Sequence, residues 1–308
     1  MTTIYHKPVM VDEIVRSLKV ETAHLLVDCT CGDGGHSLAI LEKMPALGKV
    51  IALDRDEEAL ARARSRLAAF SDRIILVQGN FSQLSAILQR NNIAQVDAIL
   101  ADLGISFYQI STPERGFMFS ADGPLLMQMG QDCEQSAFEL INESGEQDLS
   151  NIIKEYGEER QHRRIARAII QARTKKPIES TAQLTAIIKR AAAPQHVIKT
   201  LARVYQALRI TINSEVDNLK SFLPQAVQHL KSKGRFAVLS YHSIEDRIMK
   251  NFIQQQSHPC TCPPEVPYCV CGKVATLKIV DRLLVPSAAE IAANSNARSA
   301  RLRIAEKL

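Results

Sequence analysis

The residues of this chain best suited to chemistry stand at the ends of short apolar runs. The first such run opens into Asp28-Cys-Thr-Cys-Gly32-Asp-Gly-Gly-His36-Ser. Its glycines allow a tight turn and a close backbone approach to a ligand, and a helix starting there would offer unsatisfied N–H groups. Asp54 follows 22 residues after Gly32, at the end of the next run. A carboxylate in that position can accept both hydroxyls of an adenosine ribose. Either half alone also occurs in ordinary βα turns and helix caps, but on consecutive strands at this spacing the pair specifies nucleoside binding. The spacing fits NAD and S-adenosylmethionine equally. Three features favour the latter: the glycines do not form G-x-G-x-x-G, the chain ends in two β-like runs, and no hydride-transfer site is evident. Asp28 or Asp33 would also attract a methionine ammonium, where a pyrophosphate would be repelled.

Further runs deliver more such residues. Gly79-Asn80-Phe81 sets an aromatic where adenine could stack, although Phe81 also reads as a core residue. Ala101-Asp102-Leu-Gly-Ile-Ser106 sets a carboxylate at a strand end. There it can accept an N–H from an exocyclic amine or cap a helix. The stretch Ser240-Tyr241-His242-Ser-Ile-Glu245-Asp246-Arg247 offers Tyr241, His242, Asp246 and Arg247 for base recognition; packing is the alternative for His242. Arg160, Arg163, Arg164 and Arg167 fall at helical offsets 0, 3, 4 and 7, opposite Ile165, Ile169 and Ala172. Extended by Arg173, Lys175 and Lys176, this face suits phosphate contacts or is simply a solvated surface following Glu158 and Glu159. Cys260, Cys262, Cys269 and Cys271 form a C-x-C…C-x-C pair in a Pro-rich stretch. Four such thiolates could bind structural zinc, but familiar sites use C-x₂₋₄-C spacing. Inert or redox-sensitive thiols weigh more heavily and a disulfide less, so no residue is assigned as a metal ligand.

These residues need a scaffold. Residues 24–30, 49–55, 73–79 and 97–103 are continuous apolar runs ending in polar or glycine residues, as in strands buried on both faces of a parallel sheet. Helical stretches such as 57–69 alternate with them, which implies a doubly wound α/β sheet. The next clear strand, 235–242, starts 132 residues after Leu103, whereas one crossover needs only about 30 residues in all. The surplus is helical in pattern at 148–156, 160–173, 181–193 and 197–221, so a helical domain is inserted between the fourth and fifth strands. After a helix at 244–255 and the cysteine stretch come β-like runs at 276–285 and 301–307. With no helix expected between them, they pair antiparallel. A parallel sheet closed by an antiparallel strand is the class I S-adenosylmethionine-dependent methyltransferase arrangement. The expected domains are 1–106 with 209–308 for the cofactor, and 107–208 for RNA or substrate recognition.

Composition narrows the class. A chain of 308 residues that is 46% hydrophobic can bury a substantial core, which excludes a disordered chain or a disulfide-stapled miniprotein. The net charge of +5 is mild, so a nucleic-acid partner must be argued from clusters. Seven cysteines without a secretory pattern point to reduced thiols, and no export signal or apolar span is visible. The expectation is a cytoplasmic protein with no membrane association.

Ordered segments spanning nearly the whole chain resemble the ribosomal small-subunit RNA methyltransferase H (MraW) family. The segments begin with His6-Lys-Pro-Val-Met-Val-Asp-Glu13, Gly34-Gly-His-Ser37, Leu53-Asp-Arg-Asp56, Gly79-Asn-Phe81 and Asp102-Leu-Gly104. They continue with Pro113-Glu-Arg-Gly-Phe117, Asp122-Gly-Pro-Leu125, Tyr156-Gly-Glu-Glu-Arg160 and Arg164-Ile-Ala-Arg-Ala-Ile169. The last are Tyr205-Gln-Ala-Leu-Arg-Ile210, His242-Ser-Ile-Glu-Asp-Arg247, Val285-Pro-Ser287 and Arg298-Ser-Ala-Arg-Leu-Arg303. The resemblance implies N4-methylation of a cytidine in the decoding region of 16S rRNA, on the assembled small subunit, with S-adenosylmethionine as donor. It implies cofactor contacts at Gly34, Gly35, His36, Asp54, Phe81, Asp102 and Gln109; Gln109 comes from the resemblance alone. The chain departs from the family pattern at Cys31, at Phe107 and Tyr108, and at Leu126 and Gln128.

The implied chemistry is positioning catalysis, because the cytosine amine is a poor nucleophile that must be held against the methyl donor. Asp102 is the expected catalytic residue, accepting an N–H and taking up developing positive charge. The target base would be splayed out, with Phe107, Tyr108 or Tyr241 as stacking partners. His242, Asp246, Arg247, Arg163 and Arg167 are the expected RNA contacts. A methyltransferase on a non-RNA substrate and an RNA-binding assembly factor with a structural cofactor are the alternatives; a homodimer is left open.

Overall fold

The computed structural model describes residues 7–263 and 268–308; His6, the first residue of the first family segment, lies outside them, as does Pro264 in the cysteine stretch. In chain order the elements begin α1 (Val11–Ser17), β1 (Leu25–Asp28), α2 (Gly35–Lys43), β2 (Lys49–Asp54), α3 (Glu57–Arg66), β3 (Ile74–Gln78), α4 (Leu84–Arg90) and β4 (Val96–Asp102). Helices α5 (Phe107–Ser111), α6 (Ala137–Glu143), α7 (Glu146–Glu155), α8 (His162–Arg173), α9 (Thr181–Ala191), α10 (Val197–Ile212) and α11 (Glu215–His229) follow. The chain closes with β5 (Leu230–Ser240), α12 (Ser243–Ser257), β6 (Leu277–Leu284), α13 (Ala288–Ala293) and β7 (Arg301–Lys307). It divides into two compact units, Met1–Gly104 with Asp217–Leu308, and Ile105–Val216.

The first unit is built on one seven-stranded sheet of order β3-β2-β1-β4-β5-β7-β6. Strands β1 to β5 pair in parallel, and β7 runs antiparallel to both β5 and β6. Side chains alternate between the two faces, and both faces are covered. Leu26, Val50, Ala52, Leu100 and Leu239 pack with Ile14, Leu41 and Leu67 on one side. Val27, Ile51, Leu53, Ile99 and Val238 pack with Leu88, Phe222 and Met249 on the other. Each such buried aliphatic side chain contributes about 1.5–3 kcal/mol, which is why these strands read as unbroken apolar runs. The second unit is helical, with a core of Leu149, Ile153, Ile165, Ile169, Leu184, Ile188, Leu201, Val204 and Leu208. Among the described residues no helix is long and apolar enough to cross a membrane.

Four local expectations are corrected. The run 197–221 is two helices: Asn213 bonds Arg209 O with its own N–H and with its side-chain amide, and Ser214 turns to φ 50, which ends α10 before α11 begins. The fifth strand stops at Ser240, so Tyr241 lies beyond it, and His242 is the N-cap of α12. A short helix, α13, does lie between β6 and β7; Ser287 caps it by accepting the Glu290 N–H. Helix α8 begins at His162, after a left-handed Glu158, so Arg160 is not part of its face.

Candidate active site

The cofactor-like loop is set by backbone geometry. Gly34 is the N-cap of α2 at φ 84, and a Cβ there would meet Leu67 Cδ1 at 2.9 Å. The left-handed φ at this N-cap is what favours glycine, since the contact is only with the flexible end of Leu67, just past α3. Gly32, at φ 54, has no atom within 4 Å of a would-be Cβ and leaves open space at the turn. Asp54 reaches across to this loop, accepting the Gly32 N–H at 2.7 Å on one oxygen and the Asp56 N–H at 2.9 Å on the other. A carboxylate offers about four lone-pair sites, so two remain for ribose hydroxyls.

Asp28 and Asp102 end β1 and β4 beside it. Asp28 is fully buried and accepts the Ser37 hydroxyl at 2.7 Å. Asp102 accepts the Tyr241 hydroxyl at 2.8 Å, and its N–H donates to Thr30 Oγ1. His36 is buried with Nε2 on the Val9 carbonyl and Nδ1 4.0 Å from Asp102 Oδ2. Burial raises Asp28 and Asp54 to about 6. Burial also raises Asp102 to about 7, with the Tyr241 bond opposing and Asp28 and Glu245 adding repulsion. Among the described residues no lysine or arginine pairs with Asp28, Asp54 or Asp102. One buried and two half-buried carboxylates without a protein cation form a site that a positively charged ligand would neutralise. S-adenosylmethionine, with its sulfonium and ammonium, fits this donor set: Asp54 for the ribose, and the Asp28 and Asp102 carboxylates for positive charge.

The remaining sequence candidates separate. Phe81 packs edge-on against Phe222, ring centroids 5.3 Å apart and planes at 77°. Gly35 is buried in the first turn of α2. Asp33 pairs with Arg66 at 2.8 Å and so is committed to a protein cation. His242 Nδ1 accepts the Glu245 N–H that starts α12, and its Nε2 lies 3.2 Å from Glu245 Oε1. Arg247 is exposed on the same helix. Both Asp246 oxygens are taken, by Arg301 at 2.9 Å and Arg303 at 2.6 Å, which holds its carboxyl below the ordinary range despite opposing burial. Asp246 therefore clamps α12 to β7.

Gln109, Arg163 and Arg167 belong to the second unit. Gln109 is buried, closing a capping box with Ser106 at the start of α5. Arg163, Arg164 and Arg167 are exposed on α8, with Ile165 and Ile169 buried behind them. Arg167 lies 3.5 Å from Glu146, both well exposed, a pair that solvent screens. Arg173 does not extend this face: its guanidinium donates to the carbonyls of Ile141 and Ser144 at the end of α6. Phe107 and Leu126, two of the departures from the family pattern, are both exposed, and Arg115 donates to the carbonyl of Gln128, a third.

Sequence reasoning missed the Tyr241–Asp102 bond, having read Tyr241 as a stacking ring. It also missed the Arg301–Asp246–Arg303 clamp. The i, i+2 spacing of the two arginines put them on one face of β7, but only the pairing of Ser240 with Arg301 and Val238 with Arg303 brings them to α12.

The sequence profile of the MraW methylase family matches residues 3–308. The chain is similar to "Ribosomal RNA small subunit methyltransferase H" of Brevibacillus brevis, 44% identical over 314 residues and covering 100% of both chains. A second protein of that name, from Desulfosudis oleivorans, is 44% identical over 308 residues, covering 98% of this chain and 99% of its own. Among solved structures, an rRNA methylase from Streptococcus thermophilus aligns over 99% of each chain with a TM-score of 0.42 and 13% identity.

Proposed function

The chain belongs to the MraW methylase family, and from that premise we propose that it methylates the exocyclic N4 amine of a cytidine in the decoding region of 16S rRNA. S-adenosylmethionine is the methyl donor. Full-length relatives named for the small-subunit ribosomal RNA supply the substrate class. The observation that carries the chemistry is Asp102, a half-buried carboxylate at the carboxyl end of β4, held by Tyr241 and raised to about 7.

Bound at this site, S-adenosylmethionine supplies an electrophilic methyl on a sulfonium. The residues of the chain do the rest. Asp54 takes the ribose hydroxyls, while Gly34, Gly35 and His36 shape the loop above β1, and Phe81 borders the adenine side. Asp102, when ionised, accepts an N–H of the target amine at its carboxylate. That hydrogen bond localises the nitrogen lone pair, and the charge takes up the positive charge that develops on nitrogen. The Tyr241 hydroxyl fixes the rotamer of Asp102 and favours its ionised form. A proton leaves the methylated amine after transfer, so Asp102 need not be a strong base. In the helical unit, Arg163 and Arg167 contact rRNA phosphates, and Arg247 contributes from the first turns of α12, which His242 caps. The reaction takes place in the cytoplasm, on the small subunit.

Mass spectrometry of 16S rRNA nucleosides tests this reading. A strain lacking the gene should lose one N4-methylated cytidine, regained with the wild-type chain and not with Asp102→Ala. If the modification persists in the deletion strain, the substrate assignment is wrong. If Asp102→Ala restores it, the role of Asp102 is wrong.

A further inference from the structure

Between the end of α12 and Leu277, none of the described residues is buried. Tyr268, Val270 and Val274 are each more than three-quarters exposed. The base of this stretch is tied by Thr276 donating to the backbone and side chain of Gln256. A segment that buries no apolar surface needs another source of order.

Within it, Cys260, Cys262, Cys269 and Cys271 converge. Their four sulfurs all lie within 4.8 Å of one another. Cys269 Sγ is 3.6 Å from Cys260, 3.9 Å from Cys262 and 3.4 Å from Cys271. Sulfurs bound at ~2.3 Å to one tetrahedral zinc ion lie ~3.8 Å apart, so these separations match an S₄ shell and exceed a disulfide bond length. Backbone amides already point at sulfur: the Val270 N–H donates to Cys262 Sγ at 3.3 Å. Those of Lys273 and Thr261 donate to Cys271 Sγ. Such donors stabilise the charge that four thiolates leave on a divalent ion. The other cysteines are elsewhere: Cys29 and Cys31 are buried in the first unit with thiols pushed well up by burial, and Cys133 bonds Asn213 in the second.

We propose that Cys260, Cys262, Cys269 and Cys271 bind one structural zinc ion that ties residues 258–263 to residues 268–276. All four positions of the ion are filled by protein, so the site is closed and takes no part in methyl transfer. Its role is to replace the missing apolar core of this segment.

The test uses the full chain, expressed with zinc supplementation and purified under reducing conditions without chelator. Elemental analysis should find about one zinc per chain, and cobalt substitution should give thiolate-to-metal charge-transfer and tetrahedral ligand-field bands. The double variant C262S/C271S should lose the zinc while retaining S-adenosylmethionine affinity, since neither residue belongs to the cofactor site. Removing zinc from the wild-type chain should raise amide exchange at Val270. A metal-free chain with four alkylatable thiols in this segment would overturn the proposal, as would two disulfides found by non-reducing peptide mapping, or zinc retained by the double variant.

Discussion

Replacing Tyr241 by Phe removes one oxygen from the site and isolates the control of Asp102. The hydroxyl donates to Asp102 Oδ1 at 2.8 Å and opposes the burial that raises this carboxyl to about 7. Asp28 and Glu245 also raise it, and His36 Nδ1 lies 4.0 Å away; the substitution leaves these in place. A hydrogen bond to a charged group is worth about 1.5–3 kcal/mol, which corresponds to about 1–2 pKa units. An acid with a raised pKa is ionised only above it, so the variant should need a pH about 1–2 units higher to ionise Asp102. At a pH below both midpoints the ionised fraction, and with it the rate of transfer, should fall about 10–100-fold. Raising the pH to about 9 should recover most of the rate. The assay is single-turnover methyl transfer to small subunits at saturating S-adenosylmethionine across this pH range. A profile with an unmoved midpoint and a uniformly lower plateau would refute the idea that Tyr241 acts through the ionisation of Asp102.

Other perturbations address the remaining parts. Asp54→Asn should weaken S-adenosylmethionine binding by about tenfold or more, the worth of one charged hydrogen bond, and unchanged calorimetric affinity would exclude the ribose contact. Because Asp28, Asp54 and Asp102 are raised to about 6–7, affinity in the wild-type chain should fall as pH drops through this window and they protonate. The unliganded chain should show the reverse in thermal denaturation: the stability associated with these raised groups is full at low pH and lost as pH rises through 6–7. Asp246→Asn should cost about 1–3 kcal/mol in denaturant unfolding at pH 7 by weakening the clamp to Arg301 and Arg303. Since this carboxyl is held low, its contribution in the wild-type chain should vanish only as pH falls below the ordinary Asp range. Arg163→Ala and Arg167→Ala should each reduce the slope of log affinity against log salt by about 1, measured by filter binding to the small subunit, if each contacts a phosphate. An unchanged slope would return that face to the solvated-surface reading.

Much of the first unit is legible in sequence because a parallel strand covered on both faces must be apolar throughout. Runs such as Val50–Leu53 and Ala98–Ala101 therefore stand out without knowledge of their neighbours. The same logic marks Asp54 and Asp102, the first polar residues after such runs. The break at Asn213 and Ser214 is not marked by Gly or Pro; it depends on a side-chain amide and a single left-handed residue, which periodicity does not register. Arg173 reads as part of a basic face, yet its partners are carbonyls of another helix, 29 and 32 residues away.

What the sequence determined by itself was the alternation of elements and which carboxylates stand at strand ends, since both follow from local burial periodicity. The tertiary structure alone decided their chemical state. Tyr241 meets Asp102 across 139 residues, and Asp246 is enclosed by arginines 55 and 57 residues away. One carboxyl is thereby left at about 7 and the other held low. Ionisation depends on solvent exclusion and on charges brought close by the fold, and no spacing along the chain encodes either directly.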